Sequence, residues 1–314
     1  MPLANLLKDP PPTHAFELSE EGIAFAAVAE PARAEFARFE PGVLLVSPVH
    51  DNIQQPHVLQ EQIRSMVSAN GHRKRRAAVI LPDYCARIAV LDFDTFPTDP
   101  DEQQALVRFR LKKSVPFEVD TAVVSYVQQP RSSNGLGAAK VEILAAVMSS
   151  EIVEQYEAPF RAAGFHPGLV ITSSIATLNL LDADGITLLV KLSGRILSVL
   201  VLMDNAVKLA RCIEMDQAGV LDIESVLHPT IAYIEDELKS RPQLVWLAGF
   251  GSEAGEFAPR WESEWGVSVQ PIRSRFGSPN RCVPRARSRR FGRRACTTRR
   301  SATGHLPGDR RSTG

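Results

Sequence analysis

The stretch Gly249-Phe250-Gly251-Ser252 has residue types and spacing suited to binding a ligand through the protein backbone. It follows the apolar run 244–248, which predicts a buried strand, and it precedes residues 253–264, which predict a helix. Glycines at such a junction allow a ligand to approach the backbone N–H groups of the helix N-terminus. The same glycines also suit close packing between a strand and a helix, so the spacing leaves a binding role and a structural role open.

Other residues that often perform catalysis or bind metals do not form recognisable sets. Asp92 and Asp94 are separated by one residue on a predicted strand, which is an ordinary arrangement of acids along a sheet edge. The seven histidines form no ligand cluster, and the chain contains no GxSxG, HExxH or Walker A pattern. The four cysteines are scattered without a CxxC pair, which indicates reduced thiols in the cytosol. We therefore predict no catalytic residue and no metal site.

A cationic helix flanked by two phenylalanines offers a different kind of chemistry, which is the binding of a peptide. Thr98-Asp99-Pro100 has the features of a helix start, and Pro116 is expected to end the helix. Leu106, Phe109 and Leu111 are predicted to face the core. The predicted partner-binding set comprises the cations of the opposite face and the phenylalanines at the two ends: Phe96, Arg108, Arg110, Lys112, Lys113 and Phe117. Aromatic anchors with a charged rim are typical of binding hot spots, whereas a solvated face and two core phenylalanines remain the alternative.

The elements around these residues predict an α/β protein whose second half repeats the element order of its first half. In the first half, strands are predicted at residues 15–18, 23–28, 43–47, 77–81, 87–93, 122–128 and 141–148, and helices at 56–69 and 151–163. In the second half, strands are predicted at residues 187–192, 197–203, 207–213 and 244–248, and helices at 173–181, 220–238 and 253–264. Asp204-Asn205 favours a tight hairpin turn.

Length and composition allow a large core, because 44% of the 314 residues are hydrophobic. No apolar run approaches the roughly 20 residues that a membrane-spanning helix needs, and the start lacks the pattern of a secretory signal. We predict a flexible leader at 1–14, a first lobe at 15–168, a second lobe at 169–280 and a disordered tail at 281–314.

The predicted tail differs in kind from the rest of the chain. It contains 11 arginines, no lysine and one acid, Asp309, among few apolar residues. Because this composition is typical of GC-rich codons read in another frame, we interpret residues 281–314 as the product of a frameshift or of a sequence error. A genuine basic arm that binds nucleic acid or anionic lipid is the alternative.

Several stretches of the first lobe resemble those of a known family. LPD before an apolar strand, DFDTFP, and RFRLKKSVPFEVD before a tyrosine-containing strand are similar to the type IV pilus assembly protein PilM family. That family is actin-like and is related to FtsA and to the cytoplasmic part of GspL. The resemblance implies an actin-like fold of two lobes, each of them a ribonuclease H-like domain. It also implies a cytoplasmic scaffold, peripheral at the inner membrane, that binds the cytoplasmic tail of a PilN-like partner.

The resemblance further implies three turns that hold ATP with Mg²⁺ in actin-like proteins. In this sequence the turns are 17–22, 191–195 and 249–252, and the implied nucleotide-binding residues are Ser193, Gly194, Gly249, Gly251 and Ser252. The first two turns depart from the family pattern. Glu20 and Glu21 add carboxylates where phosphates would lie, and Lys191 replaces the acid of the second turn. We therefore expect ATP binding to be weak or absent and hydrolysis to be negligible.

Three classes of function stay open at this point. A cytoplasmic scaffold for pilus assembly agrees with the resemblance and with the lack of a catalytic set in the sequence. An ATP-dependent enzyme on the same fold, such as a sugar kinase, would need a catalytic carboxylate and intact phosphate turns. A nucleic-acid-binding protein would depend on the arginine-rich tail and would lose its affinity when residues 281–314 are deleted. The sequence favours the scaffold.

Overall fold

Three β-sheets organise the part of the chain that the structure describes. A computed structural model describes residues 11–67, 75–130, 140–181, 185–216 and 219–272. Its strands are β1 (His14–Ser19), β2 (Gly22–Ala27), β3 (Glu35–Arg38), β4 (Arg75–Leu81), β5 (Arg87–Phe93), β6 (Val123–Gln128), β7 (Val141–Met148), β8 (Phe165–Thr172), β9 (Ile186–Ser193), β10 (Ile196–Met203), β11 (Ala206–Glu214), β12 (Leu244–Ala248) and β13 (Ser268–Pro271). Its helices are α1 (Pro56–Ser65), α2 (Pro100–Leu111), α3 (Ser150–Ala162), α4 (Ser173–Leu178), α5 (Val220–Glu237) and α6 (Ala254–Trp265). Among these described helices, none has the length and apolar character needed to cross a membrane.

The first sheet has the strand order β3-β2-β1-β4-β8. β1 and β2 form the predicted hairpin, with Glu20-Glu21 as the turn between Ser19 and Gly22. β4 runs parallel to β1, and β8 runs parallel to β4. Alternate residues of β1, such as Phe16 and Leu18, are buried in a core shared with α1 and α3. The two helices therefore cover one face of this sheet.

The second sheet repeats this arrangement with the strand order β11-β10-β9-β12-β13. β9, β10 and β11 are consecutive antiparallel strands, and β12 lies parallel to both β9 and β13. Asp204 and Asn205 both have positive φ in the β10–β11 turn, as a tight hairpin requires. Helices α5 and α6 contribute to a core that includes the fully buried Trp261. The equivalent strand orders of the two sheets show the internal duplication that the element order predicted.

The third sheet consists of three antiparallel strands in the order β5-β7-β6. One of its faces packs against α2 through Val107 and Leu111. Toward the second lobe, the side-chain amide of Gln129 exchanges two hydrogen bonds with the backbone of Val207. Lys208 of β11 also donates to the carboxylate of Glu142 on β7. These polar contacts attach the third sheet to β11.

The segment between β2 and α1 differs from the prediction. Residues 43–47, which were predicted to form a strand, lie in a loop, and the third strand of the sheet is instead the short β3. β3 begins and ends with charged residues, so its sequence lacks the apolar pattern of a buried strand. The buried amide of Asn52 organises the loop, because it hydrogen-bonds to the backbone of Ser47 and His50.

Helix α2 begins as predicted, but it ends earlier and faces the core differently. Asp99 caps it by accepting hydrogen bonds from two backbone N–H groups. The helix ends at Leu111 rather than at Pro116. Phe109 was predicted to face the core, yet its side chain is 73% exposed. The buried stripe runs through Val107 and Leu111, which are four residues apart on one helix face.

Strand β8 crosses the expected boundary between the lobes, because it continues from residue 165 to residue 172 as the edge of the first sheet. Residues Met1–Phe276 form one compact unit. The predictions for residues 1–10 of the leader, for residues 273–280 of the second lobe and for the arginine-rich tail lie outside the described residues.

Candidate functional site

The two hairpin turns implied as phosphate-binding elements lie opposite each other between the lobes. Ser193 and Gly194 are in the β9–β10 turn, and a Cβ atom added to Gly194 would lie 3.9 Å from Oε1 of Glu21 in the β1–β2 turn. Glu20 accepts a backbone N–H at 2.8 Å, and Glu17 accepts a serine hydroxyl. The carboxylate of Glu21 therefore faces the second implied phosphate turn, and a negative charge there disfavours a phosphate.

Lys191, which replaces the expected acid of the second turn, is buried and paired. Its Nζ lies 3.7 Å from Oδ2 of Asp83, which follows β4 in the first lobe. The same carboxylate accepts the hydroxyl of Ser198 at 2.8 Å and the backbone N–H of Ser174 at 2.7 Å. Because the positive charge of Lys191 is compensated by Asp83, it is not available to neutralise a phosphate.

The glycines of the third turn have different roles. Gly249 has a φ of +80°, and a Cβ atom there would lie 1.9 Å from the carbonyl oxygen of Leu192. Glycine is therefore required where β12 passes β9. Phe250 is buried, whereas Gly251 and Ser252 are exposed, and a Cβ atom on Gly251 would meet open space. The packing role explains Gly249, and the binding role stays open for the two exposed residues.

A separate cavity of about 170 Å³ lies where the three sheets meet. Its apolar wall includes Pro116 and Phe117 from the segment after α2, Ile88 of β5 and Leu200 of β10, and Tyr84 also lines it. We call this space the junction cavity. A cavity of this size holds a group about as large as a benzene ring, so it fits one apolar side chain of a bound peptide.

The junction cavity also has a polar part, formed by Ser174, Ser198 and Cys212. The Ser174 hydroxyl is buried and has no hydrogen-bond partner among the described residues. Burial, together with the negative charge of Asp83, raises the pKa of the Cys212 thiol to about 12. That thiol is therefore neutral at physiological pH. The cavity combines an apolar wall with one hydroxyl group that lacks a partner.

The structure separates the two phenylalanines that were predicted to bind a partner. Phe117 lines the junction cavity. Phe96 lies near the other end of α2, where its ring centroid is 5.2 Å from that of Phe93 and 6.2 Å from that of Tyr126. Both phenylalanines therefore pack beside the core of the third sheet, and Phe117 also borders a concave surface.

The four predicted cations lie close in sequence to Phe117, which lines the cavity. Among the described residues, however, none of these four side chains belongs to the cavity wall. Arg108 donates hydrogen bonds to two backbone carbonyl groups of the segment that follows Phe117. The guanidinium of Arg110 lies 5.0 Å from the centre of a core phenylalanine ring. Lys112 and Lys113 are exposed. Arg108 therefore supports the segment that carries Phe117, and Lys112 pairs with the carboxylate of Asp120 at 3.6 Å on the surface.

Sequence reasoning did not find Asp83, Arg87, Ser174, Arg211 or Cys212, all of which belong to the cavity or its surroundings. They come from distant parts of the chain and meet only after the lobes pack. One signal was present, because Asp83 follows the end of a strand that the sequence predicted correctly. The carboxyl ends of parallel strands are where α/β folds place their ligands.

Comparisons with known proteins give a clear result for the fold. No protein-family model matches the chain, and no curated protein matches its sequence. A chain of a solved PilM–PilN type IV pilus biogenesis complex is 16% identical, with 83% of this chain and 88% of that chain covered and a TM-score of 0.63. This similarity, at low identity, shows that the chain has the actin-like fold that the sequence resemblance implied.

Two further solved structures match less well. The cytoplasmic domain of EpsL, an inner-membrane component of the type II secretion system of Vibrio cholerae, is 10% identical over 74% of this chain and 80% of that chain, with a TM-score of 0.47. A protein of unknown function with an actin-like ATPase fold from Bacteroides thetaiotaomicron is 11% identical over 82% of this chain and 90% of that chain, also with a TM-score of 0.47.

Proposed function

We propose that this chain is a cytoplasmic scaffold of pilus assembly that binds the cytoplasmic tail of a PilN-like inner-membrane protein. The fold shared with a chain of the PilM–PilN complex supports the assembly role. The observation that carries the proposal is the junction cavity, because Phe117 was predicted from the sequence to bind a partner and lines this cavity. The tail would lie across the cavity in an extended conformation.

The surroundings of the cavity support peptide binding in this place. The segment from Ser114 to Phe117 forms one side of the cavity and connects α2 to the third sheet. Arg108 holds the backbone just beyond this segment. A concave apolar surface that is held in place by its own scaffold binds a peptide at a lower entropic cost than a surface that must first become ordered.

We also propose that the scaffold does not hydrolyse ATP and binds it weakly or not at all. The support is the carboxylate-rich turn at Glu20 and Glu21, and the pairing of Lys191 with Asp83. Calorimetric titration of the full chain with Mg-ATP checks this, and we expect no binding at micromolar concentration. A micromolar dissociation constant that disappears in Gly251→Trp would show that the third turn forms a working nucleotide site.

Replacement of Phe117 by alanine tests the peptide-binding function. Phe117 is partly buried, so Phe117→Ala should lose less stability than the roughly 3–5 kcal/mol that a fully buried phenylalanine contributes. The affinity of this variant for a synthetic peptide of the PilN-like tail should fall at least about tenfold, because the aromatic ring that forms part of the apolar wall is lost. Fluorescence anisotropy measures the affinity, and thermal melting measures the stability.

Phe109→Ala is the matched control, because Phe109 follows Arg108 on the same helix but is exposed and does not line the cavity. This variant should bind the tail peptide as the unmodified chain does. If Phe117→Ala melts normally and binds the peptide with unchanged affinity, the junction cavity is not the binding site.

A further inference from the structure

We propose that the junction cavity selects a peptide in which a carboxylate side chain stands beside an apolar side chain, and that Arg87 and Arg211 bind this carboxylate. The inference rests on the proposed peptide-binding function and specifies the chemistry of the partner. Arg87 begins β5 in the first lobe, and Arg211 lies on β11 in the second lobe. Both residues line the cavity.

The charge of the cavity lining carries the argument. The lining includes two arginines and no aspartate or glutamate among the described residues. Neither arginine forms an ion pair within the part of the chain that the structure describes. A carboxylate that enters the cavity is attracted by both positive charges. Arginine also matches the two oxygens of a carboxylate with parallel hydrogen bonds.

Other cations close to the cavity show a different pattern. Lys191 is paired with Asp83, and Lys208 is paired with Glu142. The protein therefore provides its own acids for these two buried lysines, whereas the exposed Arg87 and the partly buried Arg211 form no ion pair among the described residues. Because Arg87 is exposed, an acid from a partner can reach it.

The polar part of the cavity agrees with a peptide as the source of the carboxylate. The buried Ser174 hydroxyl lacks a partner among the described residues, and such groups are expensive unless a ligand or water satisfies them. An extended peptide offers backbone carbonyl groups that accept a hydroxyl. Ser198 already donates to Asp83, and the Cys212 thiol is neutral. Neither group therefore adds a negative charge that would compete with the partner's carboxylate.

Selection from a phage-displayed library of random octapeptides tests the inference without knowledge of the partner. The bait is the full chain, either unmodified or as the double variant Arg87→Gln/Arg211→Gln. Arg38→Gln serves as the control, because Arg38 is an exposed arginine on β3, the edge strand of the first sheet, and does not line the cavity. We expect aspartate or glutamate next to a large apolar residue in peptides selected by the unmodified chain and by Arg38→Gln. This preference should disappear with the double variant.

A direct affinity measurement supports the selection. The best peptide and its asparagine or glutamine counterpart are compared by fluorescence anisotropy with the unmodified chain and with Arg87→Gln alone. For the unmodified chain, the acidic peptide should bind at least about tenfold more tightly, which corresponds to about 1.4 kcal/mol. The difference should shrink for Arg87→Gln and at high salt. This comparison decides the question even if the double variant does not fold.

The outcomes separate this inference from the proposed function. Peptides that contain no acid, but whose binding is lost in Phe117→Ala, would overturn the carboxylate preference and leave the peptide site standing. If no peptide is enriched, or if the enriched peptides bind Phe117→Ala equally well, both proposals are wrong.

Discussion

Asp83 and Lys191 place opposite charges between the two lobes, where both side chains are buried. The carboxylate has two further hydrogen bonds, from Ser198 and from the backbone of Ser174. The Lys191 ammonium lies 3.7 Å from the carboxylate, which is a charge contact beyond hydrogen-bond distance. The two partners therefore depend on each other unequally, because Asp83 keeps two donors when Lys191 is removed.

This inequality gives a prediction about stability. Asp83→Asn should cost roughly 3–5 kcal/mol, because it leaves the Lys191 ammonium buried without a counter-charge. Lys191→Met should cost less, since the carboxylate retains its hydrogen bonds. Urea unfolding of the two single variants and the double variant measures these costs.

The two single variants and the double variant form a double-mutant cycle. In this cycle, the loss of stability in the double variant should be smaller than the sum of the losses in the two single variants. Additive costs would mean that the two side chains do not interact, and would contradict the pairing of Lys191 with Asp83. In that case, the positive charge of Lys191 would be available to bind a phosphate.

At the scale of elements, one side chain of α2 joins the helix to the segment that follows it. Arg108 donates to the carbonyl oxygens of Val119 and Ala122, which are both buried residues. The sequence placed Arg108 on a solvated face, but the structure uses it to join the helix to the segment that carries Phe117. The Val119 carbonyl also accepts the backbone N–H of Ala122, so loss of Arg108 removes the side-chain donor of the Ala122 carbonyl in particular, at a cost to the folded state.

Arg108→Met should therefore destabilise the protein by about 1–3 kcal/mol, and it should weaken binding of the tail peptide because the support of Phe117 is lost. Lys113→Met, on an exposed residue just beyond the same helix, should change the stability by less than about 0.5 kcal/mol. Urea unfolding and peptide anisotropy measure both variants. Equal stability of the two variants would show that Arg108 does not hold this segment.

Elements with strong local signals were predictable, and elements that depend on distant pairing were not. Asp99 and Pro100 indicated the start of α2 because capping acts between neighbours in sequence. No strand was predicted where β8 lies, and β8 contains Pro167 and Gly168, yet it pairs with β4 across a shift of register at that point. The hydrogen bonds of a distant strand determine the conformation there, and the local sequence does not reveal them.

At the scale of the whole molecule, the candidate site exists because three sheets meet. Phe117 was predictable because it lies beside a recognisable helix in the sequence. Arg87, Ser174 and Arg211 were not, since they belong to separate strands and a helix start that come together through the contacts between the lobes. Paired contacts such as Gln129 with Val207 hold these elements in place. The cavity is therefore a property of the packed molecule, whereas the three turns that the resemblance implied were located from the sequence alone.

Photo-crosslinking of the tail peptide tests most directly where the partner binds. The photoreactive residue p-benzoylphenylalanine replaces either Tyr84, which lines the junction cavity, or Ser252, which is exposed in the third nucleotide turn. With a biotinylated peptide of the PilN-like tail, we expect a covalent adduct from the Tyr84 position and none above background from the Ser252 position. An adduct from the Ser252 position with none from the Tyr84 position would place the partner at the third turn and contradict the proposal that the partner binds at the junction cavity.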